Sequence, residues 1–433
     1  MSIMGLVPTP PGRIAGGAAY LEGEDLFAAS DRRIRDLRGG SVAYVFQDPL
    51  STLHPLFTVG DQLSEAITAH QPLSGAKATA RAVELLSLVR IPNPDERLGA
   101  YPHELSGGMR QRVCIAMALA NDARVLIADE PTTALDVTVQ AQILTLMNGL
   151  RRERNAAILF ITHDFGVVSS ICDRVAVMYA GRIVETGTTE EVLNSPQHPY
   201  TARLIESLRM NASSRKPAGD EALLTIEAVE RIFGGGRKLL GGHHPAVHAV
   251  QGLSLDVKKG ETLGVVGESG CGKSTLARLV VGLDLPTSGT ITFNGEDLTA
   301  LARKDRRALA RKIQYVFQDP VASLNPRKTI RTILEAPLKH LTGLNADGRK
   351  HRLDELLQAV NLAPEFLDRY PHEFSGGQAQ RIGIARALAA GPELIVLDEP
   401  VSALDVSVQA QVLNLLDRLK DKFGLTYIFI SHD

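Results

Sequence analysis

A chain of 433 residues is long enough for two or three domains of ordinary size. Its 47 Lys+Arg against 49 Asp+Glu give a formal net charge of −2, which argues against general nucleic-acid binding, because that leaves a basic footprint. A hydrophobic content of 44% suits a soluble globular chain; no apolar run approaches the roughly 18 residues that span a membrane, and the first residues lack the charged and apolar regions of a secretory signal.

In chain order, Pro/Gly-rich turns lead to a predicted short strand from Ala18 to Glu22. Residues 61–100 read as mostly helical, with Val83, Leu86 and Val89 at helical spacing. A helix is predicted from Ser106 through Ala120. Val125-Leu126-Ile127-Ala128 and Ile158-Leu159-Phe160-Ile161 are short apolar runs bounded by polar residues, the pattern of buried parallel strands. Residues 209–222 are polar and aperiodic, and read as a linker. A Gly-rich stretch from Gly234 to Pro245, with His243-His244, suits a solvated loop better than a metal site. Strands are predicted again over Gly252 to Val257, Thr262 to Val266, Leu394 to Glu399 and Tyr427 to Ser431. Strands alternating with helices indicate an α/β fold. Cys114, Cys172 and Cys271 have no C-x-x-C spacing, so neither a disulfide nor a metal site is expected, and the redox reading is cytosolic.

The chain repeats itself. Phe46-Gln47-Asp48-Pro49 returns as Phe317-Gln318-Asp319-Pro320, and Tyr101-Pro102-His103-Glu104 as Tyr370-Pro371-His372-Glu373. Asp129-Glu130-Pro131 returns as Asp398-Glu399-Pro400, and His163-Asp164 as His432-Asp433. A period this long means duplicated domains rather than a solenoid. Gly267-Glu268-Ser269-Gly270-Cys271-Gly272-Lys273-Ser274-Thr275 fits the phosphate-loop pattern G-x-x-x-x-G-K-[ST], follows an apolar strand and opens a helix. It has no partner in the first copy. Slid back by the repeat offset it falls ahead of Met1, with Gly5-Leu6 matching Gly282-Leu283, so both ends are expected to be cut inside a repeat.

Each candidate residue has a chemical reason. Backbone N–H groups and a helix N-terminus cradle phosphates. Lys273 suits the β- and γ-phosphates, and Ser274 suits Mg²⁺. Asp398 ends an apolar strand and suits the metal shell; Glu399 beside it suits a general base. Gln318 suits the metal or the attacking water, and His432 the γ-phosphate.

These elements together resemble the ATP-binding cassette (ABC) ATPases. The resemblance implies an α/β fold of two tandem P-loop NTPase (ABC cassette) domains, each a parallel-sheet core with a helical subdomain. It implies a first cassette over 1–208, with a peptide-importer-type tail at about 195–208 (Pro196 to Leu204), and a second over 223–433. In this family two cassettes pair head to tail, and each ATP lies between one phosphate loop and the other's L/F-S-G-G signature. Here the signatures are Ser106, Gly107 and Gly108, and Ser375, Gly376 and Gly377. One composite site would combine the phosphate loop, Gln318, Asp398, Glu399 and His432 with Ser106, Gly107, Gly108 and Asp136. The other keeps Gln47, Asp129, Glu130, His163, Ser375, Gly377 and Asp405 and is expected not to bind ATP normally. Met109 stands where the signature usually has Gln.

The tail, the Phe-Gln-Asp-Pro loops and the Tyr-Pro-His-Glu turns resemble dipeptide, oligopeptide and nickel importers. Both cassettes on one chain is similar to the fused glutathione-importer type. The resemblance implies ATP and Mg²⁺ as cofactors, membrane permease subunits as partners, a solute-binding protein acting indirectly, and a peripheral place on the cytoplasmic face of the membrane. Alternatives are an importer ATPase for nickel or another small solute, or a non-transporting ATP-binding fragment.

Overall fold

The computed structural model describes residues 1–132, 135, 137–154, 156–208, 220–234, 246–268, 270–402, 404 and 406–431. Of the expected site residues, Asp136, Ser269, Asp405 and His432 lie outside the described residues, as do most of the expected linker and the His243-His244 pair. The chain divides into two compact units, Met1–His198 and Pro199–Asp433.

In the first unit, β1 (Val42–Val45), β2 (Val125–Asp129) and β3 (Ala157–Ile161) form a parallel sheet in that order. Their β-branched and apolar residues bury on alternating faces, as the two-residue period of a strand requires. Ala43, Val45, Leu126 and Ala128 join a large core with α1 (Val59–Thr68), α2 (Gly75–Leu88), α3 (Gly107–Ala118) and α4 (Val137–Arg154). Val42 and Ile127 face a small cluster around Met4. A hairpin of β4 (Arg174–Tyr179) and β5 (Arg182–Thr188) follows.

One expectation fails here. The run Ile158 to Ile161 is parallel as predicted but only partly covered: Leu159 is 46% and Ile161 42% exposed. Strand β3 is the edge of its sheet among the described residues: Ile158 and Phe160 pack against the large core, while Leu159 and Ile161 alternate to the opposite face.

The second unit starts with α5 (Pro199–Leu208), which packs on the helix Val406–Phe423, although the sequence pattern attaches this tail to the first repeat. Then come β6 (Ala222–Phe233) and β7 (Val247–Lys258), an antiparallel pair, followed by β8 (Thr262–Val266) and α6 (Lys273–Val280). Strand β9 (Ser288–Phe293) pairs with β6. Strand β10 (Ile313–Val316) leads to α7 (Ile330–Leu341), α8 (Ala346–Ala359) and α9 (Gly376–Leu388). Strand β11 (Leu394–Asp398), α10 (Val406–Phe423) and β12 (Thr426–Ser431) complete it.

The parallel sheet has the order β8-β12-β11-β10. It separates two cores. Leu394, Val396, Ile428 and Ile430 pack on one face against α6 and the antiparallel sheet, while Ile395, Leu397 and Tyr427 pack on the other against α7–α10. This buries β11 at every position, as expected of a central parallel strand. Among the described residues no helix is long and apolar enough to cross a membrane.

Leu357 in α8 is 1% exposed. Leu357→Ala is expected to destabilise the second unit by about 2–5 kcal/mol. Lys350→Ala on the same helix, at an exposed position, is expected to stay within about 0.5 kcal/mol. Urea denaturation of the two variants checks this.

Candidate functional site

Parallel strands point their carboxyl ends the same way, so the loops that leave them gather along one edge. In the second unit the register sets Val266 opposite Ser431, Asp398 opposite Ile430 and Val316 opposite Leu397. The phosphate loop, Asp398-Glu399 and Gln318 therefore emerge side by side.

The phosphate loop needs its glycines. Gly272 has φ 101°, and a Cβ there would sit 2.1 Å from the Ala249 carbonyl oxygen. Glycine is required at this turn into α6. A Cβ on Gly267 would meet Cys271 Sγ at 2.7 Å. Lys273 is buried, and its ammonium donates to the carbonyls of Gly267 at 2.6 Å and Glu268 at 2.9 Å. The cation is thus held over the loop by weakly charged acceptors. Thr275, also expected at this site, lies in the first turn of α6.

Ser274 Oγ lies 3.5 Å from Asp398 Oδ1. The other carboxylate oxygen, Oδ2, accepts the phenol of Tyr315. Burial, then the bond to Asp398, pushes the Tyr315 pKa far above its ordinary value, so the phenol stays a neutral donor. Gln318 Nε2 donates to Glu399 Oε2 at 2.8 Å. Hydroxyl, carboxylate and amide oxygens are the hard donors Mg²⁺ takes, with few protein ligands and the remainder from phosphate and water. The set Ser274, Asp398 and Gln318 fits that ion.

Glu399 has φ 46°, and its counterpart Glu130 has φ 45°. A non-glycine residue in the left-handed region costs on the order of 1–3 kcal/mol and persists only where its surroundings hold it. The hold is visible: Glu399 N–H donates to the Ile430 carbonyl at 3.0 Å, and Glu130 N–H to the Ile161 carbonyl at 2.9 Å.

The first unit assembles the matching side chains. Gln47 Nε2 donates to Glu130 Oε2 at 2.7 Å, and His163 Nδ1 lies 3.1 Å from Glu130 Oε1. Tyr44 donates to Asp129 Oδ2 at 2.5 Å.

Both signatures open a helix. Ser106 Oγ accepts from Met109 N–H at 3.3 Å, and Ser375 Oγ from Gln378 N–H at 3.4 Å. In the second copy Gln378 Oε1 accepts from Ser375 N–H at 3.1 Å, closing a capping box. Met109 has no acceptor for that role. The second glycine of each signature is set by packing. A Cβ on Gly108 would stand 2.8 Å from Val139 Cγ1, and one on Gly377 2.4 Å from Val408 Cγ1. At Gly376 the nearest atom would be Leu404 Cδ2 at 3.2 Å, and Gly107 has open space.

Tyr44 and Tyr315 escaped the sequence reading, although Tyr-Val-Phe-Gln precedes both Asp-Pro pairs. The two Asp-Pro acids cap turns: Asp48 accepts from Leu50 N–H, and Asp319 from Val321 and Ala322 N–H. Glu104 and Glu373 likewise accept from the N–H groups of Tyr101 and Tyr370, at 2.7 Å each.

The family model described as ABC transporter matches residues 1–133 and 250–402. The chain belongs to the ABC transporter family. It is 45% identical over 433 residues to the peptidoglycan transport ATP-binding protein YejF of Agrobacterium fabrum, covering 100% of this chain and 79% of that one. It is 47% identical to the glutathione import ATP-binding protein GsiA of Shigella dysenteriae, covering 94% of this chain and 70% of that one. The Escherichia coli K12 GsiA is also 47% identical, over 93% of this chain and 68% of that one.

Gly377→Ala is expected to cost about 1–3 kcal/mol by overpacking. Adding Val408→Ala makes room for the new Cβ and should recover part of the loss. Denaturation of the single and double variants measures it; strictly additive costs would contradict the packing account.

Proposed function

We propose that this chain is the ATP-binding and ATP-hydrolysing subunit of an importer for peptides or glutathione-like solutes. The observation that carries the chemistry is the convergence of Lys273, Ser274, Asp398, Glu399 and Gln318 at the carboxyl ends of one parallel sheet. The substrate class rests on relatives named for peptidoglycan transport and glutathione import. Membrane permease subunits as partners, a solute-binding protein acting through them, and a peripheral place on the cytoplasmic face belong to the same proposal.

The residues divide the work. Lys273 exchanges its loop carbonyls for β- and γ-phosphate oxygens, which are better acceptors for a cation. Ser274, Asp398 and Gln318 would hold Mg²⁺, which would neutralise charge on the phosphates. Glu399 takes the proton of the attacking water. Gln318 fixes that carboxylate from one side through its amide. The family resemblance assigns Ser106, Gly107, Gly108 and Asp136 to the signature-side contacts with nucleotide. Gln47, Glu130 and His163 are the first-copy counterparts of Gln318, Glu399 and His432. Ser375, Gly376, Gly377 and Asp405 are the counterparts of those signature-side residues in the second copy. The repeat assigns 1–208 and 223–433 to the two cassettes with 209–222 as linker, although helix Pro199–Leu208 packs within the second compact unit.

Glu399→Gln is expected to retain ATP while lowering hydrolysis about 100-fold or more. Lys273→Ala should lose ATP affinity, and Ser106→Arg should lose hydrolysis with ATP still bound. Hydrolysis and nucleotide retention are measured on each variant. Normal turnover in Glu399→Gln would refute the assigned base.

Cysteine labelling maps the site without turnover. Cys114 is buried, and burial, then the nearby Asp48 charge, pushes its thiol up to about 12, so it stays protonated at pH 8. Cys271 is exposed in the phosphate loop. Maleimide should modify Cys271 and spare Cys114, and added ATP should slow the modification. Equal rates with and without ATP would argue against nucleotide in this loop.

A further inference from the structure

The roles assigned above leave one duplicated interaction unused, the bond from a strand tyrosine to the acid that ends the next strand. Asp398 is 5% exposed, so solvent has little access to its carboxylate. Its two oxygens have different partners: Oδ2 takes the Tyr315 phenol, and Oδ1 faces Ser274 Oγ at 3.5 Å. Tyr315 lies opposite Val396 in the ladder, two residues before Asp398 and on the same face of the sheet. Its ring is held by Phe317, with centroids 4.5 Å apart, and by the apolar core around Leu394 and Ile430. The phenol cannot swing off the carboxylate without leaving that packing.

The same arrangement stands in the first unit. Tyr44 donates to Asp129 Oδ2 at 2.5 Å, its ring is 4.5 Å from Phe46, and it lies opposite Ile127. The bond joins residues of two adjacent parallel strands, β1 and β2.

We infer that Tyr315 is a positioning residue for the metal site: its phenol occupies one oxygen of Asp398 and turns the other toward Ser274. The inference rests on the reading of Asp398 as part of the Mg²⁺ shell. A carboxylate fixed through one oxygen keeps its direction when the metal arrives, whereas a carboxylate lacking that bond must be ordered at the time of binding. Partners that orient a ligating carboxylate change metal affinity about 10–100-fold when removed.

Tyr427 supplies the control. It is 2% exposed, lies on a neighbouring strand of the same sheet and donates to the Leu416 carbonyl at 3.0 Å, away from Asp398. Tyr427→Phe removes a buried hydroxyl without touching the site.

The test uses the full chain and a fluorescent ATP analogue, titrated with Mg²⁺ and also measured in EDTA. Tyr315→Phe is expected to raise the Mg²⁺ concentration for half-maximal binding about tenfold, with binding in EDTA unchanged. Tyr427→Phe should leave both values in place. A shift in Tyr315→Phe no larger than that in Tyr427→Phe overturns the inference, as does an equal loss of binding in EDTA. Asp398→Asn separates the two levels: if it shifts the Mg²⁺ requirement while Tyr315→Phe does not, only the positioning role fails. If Asp398→Asn has no effect on Mg²⁺, the metal reading of Asp398 fails with it.

Discussion

The parallel ladder through β11 is the constraint on which the second unit depends. Asp398 and Glu399 can serve one site only because β11 ends level with β12 and β10. The backbone bond from Glu399 to Ile430 extends that ladder one residue past the strand and holds a left-handed turn there. A carboxylate on a flexible loop would reach the same place, at an entropic cost each time. Here the sheet has already ordered it.

The sheet is itself fixed by having apolar residues on both faces. Leu394 and Val396 face one core, Ile395 and Leu397 the other, so a slip of one residue would exchange the whole set. The first unit shows what happens with less cover. Its strands keep the same parallel order and the same acid-ended β2, yet Leu159 and Ile161 stay partly exposed. The Gln47, Glu130 and His163 cluster forms there all the same, because it depends on strand ends and not on the outer face.

The signature has two physical roles that share residues. Its serine caps a helix, and its second glycine lets that helix lie against the helix beginning at Val137 or Val406. Substituting that glycine therefore disturbs packing as well as any nucleotide contact. The difference between Met109 and Gln378 belongs to the cap: one copy closes a reciprocal box and the other leaves it half made.

The sequence by itself determined the duplication, the α/β class, the strands from Thr262 to Val266 and Leu394 to Asp398, and the residues of the phosphate loop. These are local or periodic signals: a strand is a run of apolar residues, and a phosphate loop is a fixed spacing of glycine, lysine and serine. Tertiary structure alone decided which atoms meet. The bond from Tyr315 to Asp398 joins residues 83 positions apart, and nothing in either segment states the register that brings them together. The burial of β12, against the part exposure of β3 with a similar apolar run, likewise depends on which neighbours a strand receives. Helix α5 shows the same limit: its apolar stripe calls for a partner, and packing on α10 supplied one in the second unit. Pairing and cover are properties of contacts distant in sequence, so a local pattern can specify the element without specifying its neighbour.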